Sequence, residues 1–172
     1  MPIHRLNHAV LYVRDVDASV AFYGGTLGFR SIFHVSGRAA FMLAPGSTND
    51  HDLGLFQIGE NARPSDAGRS TVGLYHLGWE VDTLNELKRL RRVLLESGAL
   101  VGESDHSTTK ALYAKDPDGI ELEVCWIVPV HLHTDDVLSN RTKIGPLDLE
   151  AEIAHYGGDT PGGLGKLVAS EV

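Results

Sequence analysis

Two stretches of this chain follow one plan, 68 residues apart. LNHAVLYVRDVDASVAFYGGTLGFR begins at Leu6 and LYHLGWEVDTLNELKRLRRVLLESGAL at Leu74 (74 − 6 = 68), an offset that also lays His8 over His76. Each stretch opens with alternating apolar residues, the period of a half-buried strand. Each then passes an acidic helix start, Asp15 to Asp17 in the first copy and Asp82 in the second, and enters an amphipathic helix. Leu87, Leu90 and Leu94 recur at helical spacing in the second copy. Both helices are expected to stop near a glycine, Gly28 and Gly98, where the left-handed conformation is free of Cβ strain. Strands are expected to follow at about 30–35, 38–43 and 52–58 in the first copy and at about 100–103, 110–115 and 120–128 in the second. Each copy therefore reads β-α-β-β-β. Such a module has a sheet face that it cannot bury alone, so repeated modules pair. The expected fold is α+β: two tandem βαβββ modules forming a curved, cupped eight-stranded mixed sheet.

The connections agree with this division. APGSTND at 44–50 is a turn-rich hairpin connection. Module 1 is expected at about 1–60, a polar Gly/Pro-containing linker at 59–73 and module 2 at about 74–130, together one domain over 1–130. Asp116-Pro-Asp-Gly119 sets a tight turn before the last strand, and Pro129 closes the domain. Residues 131–172 form a C-terminal extension, with a short helix at 146–157 and a mobile Gly-rich remainder.

Charge and cysteine usage narrow the function classes. The 172 residues carry 15 Lys+Arg against 23 Asp+Glu, a net charge of −8. An acidic chain without a basic stripe argues against nucleic acid and anionic membranes as partners. Cys125 is the one cysteine, so no disulfide framework exists and a reducing cytoplasm is the expected setting. MPIHRLNH lacks the pattern of a signal peptide, and no apolar run approaches the roughly 18 residues of a membrane span.

Three strand-like segments each carry a metal-ligand type of side chain: LNHAVLYV with His8, LYHLGWEV with His76, and GIELEVCW with Glu123. Two histidines and one carboxylate form the facial triad of non-haem iron(II) sites, which leaves three coordination positions open. Alternation places His8 on a face with Leu6, Val10 and Tyr12, and His51 on a face with Leu53, Leu55 and Gln57. Alternation also puts Glu121 and Glu123 on the same face, so spacing alone leaves the carboxylate open between them. His131-Leu-His133 lies beyond the repeat and reads as a surface feature. Tyr12, Phe41, Phe56 and Trp126 either line a pocket or fill the core.

The segments NHAVLYVRDVDASVAFY, YHLGWEVDTL and DPDGIELEV resemble the vicinal-oxygen-chelate superfamily, whose members include glyoxalase I, fosfomycin-resistance enzymes and extradiol ring-cleaving dioxygenases. The resemblance runs from residue 3 to about 128. It implies that the metal carboxylate is the eighth residue counted from Asp116, which is Glu123, with His8 and His76 completing the ligand set. Glyoxalase-type members take a fourth ligand from the first module, at the counterpart of that Glu. Subtracting 68 from 123 gives Leu55, with Gln57 a substitute if the register slips. A three-ligand site favours the dioxygenases, closest to the type I, catechol 2,3-dioxygenase-like branch.

Further positions agree with that branch by resemblance. HDLGLF places His51 as a proton-shuttling acid/base, and SDHSTTKALY places His106 and Tyr113 to hydrogen-bond the ring hydroxyls. Histidine suits the role because its unperturbed pKa lies near neutrality. The resemblance implies iron(II), with manganese(II) second, and a small aromatic diol and O2 as substrates. It also implies modules that pair within one chain or between two copies as a homodimer. The alternative is a glyoxalase- or epimerase-type lyase or isomerase using nickel, zinc or cobalt, whose mark is a fourth ligand. Metal-free bleomycin-type binding has no need of the triad. Fosfomycin-type thiol transfer needs more cations than Lys110 and Lys115.

Overall fold

The structure is a computed structural model that describes residue 3 and residues 5–163. Its strands and helices follow the repeat. In the first copy β1 (Ala9–Val13), α1 (Val16–Leu27), β2 (Arg30–Val35), β3 (Ala39–Leu43) and β4 (Leu53–Gln57) succeed one another. The second copy runs β5 (His76–Glu80), α2 (Leu84–Glu96), β6 (Leu100–Asp105), β7 (Thr109–Lys115) and β8 (Glu121–Ile127). The α+β tandem architecture is as expected. The eight strands are hydrogen-bonded as two four-stranded mixed sheets, β1-β4-β3-β2 and β5-β8-β7-β6, neither closed into a barrel. In each sheet the first and last strands of the module run parallel side by side, and the remaining pairs are antiparallel.

The helix ends show why these segments fold locally as they do. Asp15 caps α1, its Oδ1 accepting the N–H groups of Asp17 and Ala18 at 2.8 and 3.2 Å. Gly28, at φ 78°, closes α1 in the left-handed conformation: its N–H bonds Gly24 O, and that of Phe29 bonds Tyr23 O. In α2 the cap is Thr83 rather than Asp82, its hydroxyl accepting from Glu86 N at 3.1 Å.

The chain divides into two compact units. The first comprises the chain through Val72 together with Asp116–Ile120, and its core lies between α1 and one sheet face. Leu11, Val13, Ala40, Met42, Leu53 and Leu55 are buried there with Val16, Tyr23 and Leu27 of the helix. The Asp116–Gly119 turn belongs to this unit. Asp116 is buried, accepts from Tyr23 OH at 3.2 Å and caps its own turn through Asp118 N and Ile120 N. Asp118 is held by the Arg14 guanidinium at 2.9 Å and by Arg14 N at 3.0 Å. Burial holds the Asp116 carboxyl above the usual carboxylate range.

The second unit comprises Gly73–Lys115 and the chain from Glu121 onward. Leu84, Leu87, Leu90 and Leu94 of α2 bury against Leu112, Leu122, Val124 and Trp126. The C-terminal extension adds a 3-10 turn at Val130–Leu132, α3 (Asp135–Asn140) and α4 (Leu149–Tyr156) to this unit. α4 lies within the 146–157 segment. The segment after it does not leave the unit at Gly158, as a mobile remainder would. Asn85 N bonds Gly158 O, Gly162 N bonds Asp82 O and Gly163 N bonds Ile127 O. A Cβ on Gly162 would overlap the Trp126 ring, so only glycine lets the chain cross there. The rest of the tail expected to be mobile, 164–172, lies outside the described residues.

Candidate metal and acid–base site

Strand pairing fixes which side chains share a face. In the second sheet His76 is level with Glu121, Gly78 with Glu123, and Tyr113 with Glu123. Leu122, Val124 and Trp126 turn to the helix layer, leaving Glu121, Glu123 and Cys125 on the opposite face. On that face His76 Nε2 stands 3.2 Å from Glu123 Oε2. Two ligands at about 2.1 Å from one ion, at right angles, would lie about 3.0 Å apart. The donor pair therefore fits a divalent metal, and the structure draws Glu123, not Glu121, to His76. His76 Nδ1 is buried without the acceptor that usually orients a ligating imidazole. Its ring lies 4.6 Å from that of Tyr75 instead. Among the described residues no group of three His, Cys, Asp or Glu is gathered as a metal site would need.

The pair continues into a hydrogen-bonded chain. Tyr113 OH donates to Glu123 Oε1 at 3.3 Å, and His106 Nε2 lies 3.0 Å from Tyr113 OH. Ser104, buried beneath them, brings its Oγ within 2.7 Å of the same His106 nitrogen. Sequence reasoning assigned His106 and Tyr113 and passed over Ser104, although it opens the SDH segment. Burial, with the Glu123 carboxylate adding to it, raises the Tyr113 phenol above its ordinary value against the opposing bond to Ser104. Tyr113 is thus a proton donor at neutral pH. Cys125 on the same face is pushed up to about 12 by burial and by the charges of Glu123 and Glu80, so its thiol stays protonated.

In the first unit His8 precedes β1, and His51 precedes β4. Their rings approach to 4.5 Å. Asp50 Oδ2 can only accept, so His51 Nδ1 donates to it at 2.9 Å and leaves Nε2 for proton exchange. His8 Nδ1 likewise meets Asn7 Oδ1 at 2.8 Å, and Asn49 Nδ2 anchors the Asn7 carbonyl at 2.8 Å. Each arrangement frees the Nε2 atom that ligation or catalysis would use. Asn7 and Asn49 were also missed; the one visible signal was the adjacency of Asn7 to His8. His51 does not share a face with Leu53, Leu55 and Gln57. Leu53 and Leu55 are fully buried, and Gln57 Oε1 accepts from Val16 N at the start of α1. His51 lies ahead of the strand, and its ring packs 4.9 Å from Phe41 on the opposite, open face. Phe41 and Phe56 lie near each other at 6.1 Å, Tyr12 is exposed, and Trp126 is core. His133 Nε2 is bonded to Val128 O.

Register also corrects the fourth-ligand arithmetic. Val10 pairs with Gly54, and its repeat counterpart Gly78 pairs with Glu123. The offset is 68 for the first strands (78 − 10), 72 for the third (113 − 41) and 69 for the last (123 − 54): the second copy is longer before its third strand, and its shorter final turn takes back only three of those four residues. The counterpart of Glu123 is therefore Gly54, not Leu55. Gln57 is turned to α1 and cannot substitute. A Cβ on Gly54 would lie 3.3 Å from Val10 Cγ2 and 3.4 Å from the Phe41 ring, so the place is filled by apolar neighbours.

Comparison with known proteins agrees with this arrangement of strands. The sequence profile of the Glyoxalase/Bleomycin resistance protein/Dioxygenase superfamily matches residues 5–124. The chain belongs to this superfamily. It is 32% identical over 122 residues to a catechol-2,3-dioxygenase of Bacillus subtilis, matching 69% of this chain but spanning only 40% of that relative's length. Among solved structures, a glyoxalase/dioxygenase from Nostoc punctiforme has a TM-score of 0.58 at 26% identity, over 70% of this chain and 89% of its own. A lactoylglutathione lyase from Agrobacterium tumefaciens shares the fold with a TM-score of 0.54 at 22% identity, over 73% and 95% of the two chains. Members of this superfamily are largely enzymes that bind divalent metals.

Proposed function

We propose that this superfamily member is a metal-dependent extradiol dioxygenase acting on a catechol-type diol with O2. The observation that carries this reading is Gly54. Where the first repeat would supply a fourth ligand, it has no side chain and an aromatic ring packed over the place. The proposed ligand set is His76 and Glu123 with His8, and iron(II) ahead of manganese(II) as the ion. Such an ion, when bound, offers three open positions for both diol oxygens and dioxygen. His51, with Nε2 free and Nδ1 tied to Asp50, takes the diol proton near neutral pH. Tyr113 and His106 hydrogen-bond the hydroxyls and hold a proton at Tyr113 OH. Both oxygen atoms enter the ring-opened product, so no outside reductant is consumed. The likeness to the Bacillus catechol-2,3-dioxygenase supports the substrate class. The acidic charge and lone cysteine suit a cytoplasmic protein without nucleic-acid or membrane partners. A homodimer is in keeping with the resemblance.

The test is anaerobic loading with iron(II), followed by oxygen uptake with catechol and substituted catechols. Oxygen consumption with a yellow product supports ring cleavage. No uptake, together with tight nickel or zinc binding, would replace this reading with the lyase or isomerase one.

A further inference from the structure

The profile match stops at residue 124, yet the chain beyond it is built into the part of the second unit that carries His106. The β6–β7 turn passes through Ser107, whose φ of 64° is the one left-handed value at a non-glycine among the described residues. Backbone of this kind is strained and persists only where its surroundings hold it. Here they do. Asp105 Oδ1 accepts the Ser107 N–H at 2.7 Å, and Ser107 Oγ donates to Val137 O in α3 at 3.0 Å. Asp105 and Gly145 exchange both backbone hydrogen bonds at 2.9 Å. The Asp105 carboxylate is held in turn by Lys110 Nζ at 2.6 Å, and Lys110 reaches Glu152 of α4 at 3.1 Å. The Lys110 side chain is 3% exposed, a buried cation between two carboxylates. Val137, Gly145 and Glu152 all lie in the C-terminal extension.

We propose that this extension is a brace for the acid–base site: Asp105, Ser107, Lys110 and Glu152 are positioning residues that hold the β6–β7 turn so that His106 reaches Tyr113. The proposal rests on the role given to His106 above. Without the brace the turn relaxes toward ordinary φ values, and the residue before it, His106, swings with the backbone. The ligand pair His76 and Glu123 sits on other strands and is not part of the brace.

The experiment compares Ser107→Ala and Glu152→Gln in the full chain. Lys88→Ala serves as a control that frees α4 from its surface ion pair with Glu150, at 2.7 Å, and leaves the brace intact. Imidazole 15N signals of His106 are recorded in the metal-free protein, and kcat, KM and metal affinity in the iron(II)-loaded protein with catechol. The brace predicts shifted His106 signals in both variants and none in the control. It also predicts a fall in kcat of about tenfold with metal affinity held within about twofold. Unchanged His106 signals in both variants would overturn it, as would equal changes in Lys88→Ala. If Glu152→Gln does not fold, Ser107→Ala decides, since it leaves the Lys110 cluster whole. If the unaltered protein turns over no catechol, the functional reading fails while the 15N signals still judge the brace.

Discussion

The two repeats share element order, sheet order and strand pairing, and they differ on their open faces. In the first, Phe41 packs beside Phe33 and Phe56, with His8 and His51 at its margin. In the second, polar groups connect from His106 through Tyr113 to Glu123 and His76. Equivalent rungs make the contrast sharp. Val10 faces Gly54 in one sheet, and Gly78 faces Glu123 in the other. Each rung joins a glycine to a larger residue, with the glycine on the last strand in the first case and on the first strand in the second. The duplicated scaffold thus left the same space twice. One copy filled it with apolar contact, the other with a carboxylate.

The strongest break of this asymmetry is Glu123→Ala, expected to weaken metal binding by at least about 100-fold while Glu121→Ala stays within about threefold. Metal titration of both variants checks it, and the reverse order would shift the ligand register by two. Next is His51→Ala, expected to keep the metal and lose about 10²–10⁴ in kcat, the usual range for a general base. Survival of turnover within a few-fold would remove His51 from the mechanism.

The paired glycines give a smaller and more symmetrical test. Gly54→Ala should destabilise the fold by about 1–2 kcal/mol, because its Cβ presses on Val10 and Phe41. Gly78→Ala meets only Glu123 Oε2 at 3.9 Å and should stabilise by about 0.5 kcal/mol by stiffening the unfolded chain. Urea midpoints for the two would merge if the rungs were alike.

The smallest effect concerns Asp116, whose carboxyl burial holds above its ordinary value. A raised folded-state pKa contributes stability below the unfolded value that is lost as pH rises through the folded one. Asp116→Asn should therefore be best tolerated at neutral pH and more harmful near pH 4. Denaturation of both proteins at the two pH values reads the difference.

Much of the scaffold was legible because repetition and period-2 and period-3.6 patterns report burial directly. Leu87, Leu90 and Leu94 are buried as their spacing demands. The His76–Glu123 and His106–Tyr113 contacts followed motifs that sit within one sheet. The failures came where chain geometry departs from a period. His51 lies before its strand, so alternation put it on the wrong face, and unequal connections that do not quite cancel along the repeat shifted the fourth-ligand position from Leu55 to Gly54. Ser104 and Ser107 were invisible for another reason. Their roles depend on which neighbour a hydroxyl meets, and no pattern of hydrophobicity records that.

One loop has a bearing on how the protein is made. Asp116–Ile120 completes the first unit, though the strands on either side of it belong to the second. During synthesis the first unit therefore lacks Asp116 and Asp118, the partners of Tyr23 and Arg14, until β5, α2, β6 and β7 of the second have already left the ribosome. The first half of this duplicated protein is thus completed only after the second has begun. Cutting the gene at the repeat boundary would leave the first unit without its Asp116–Ile120 loop, stranded on the piece that carries the second.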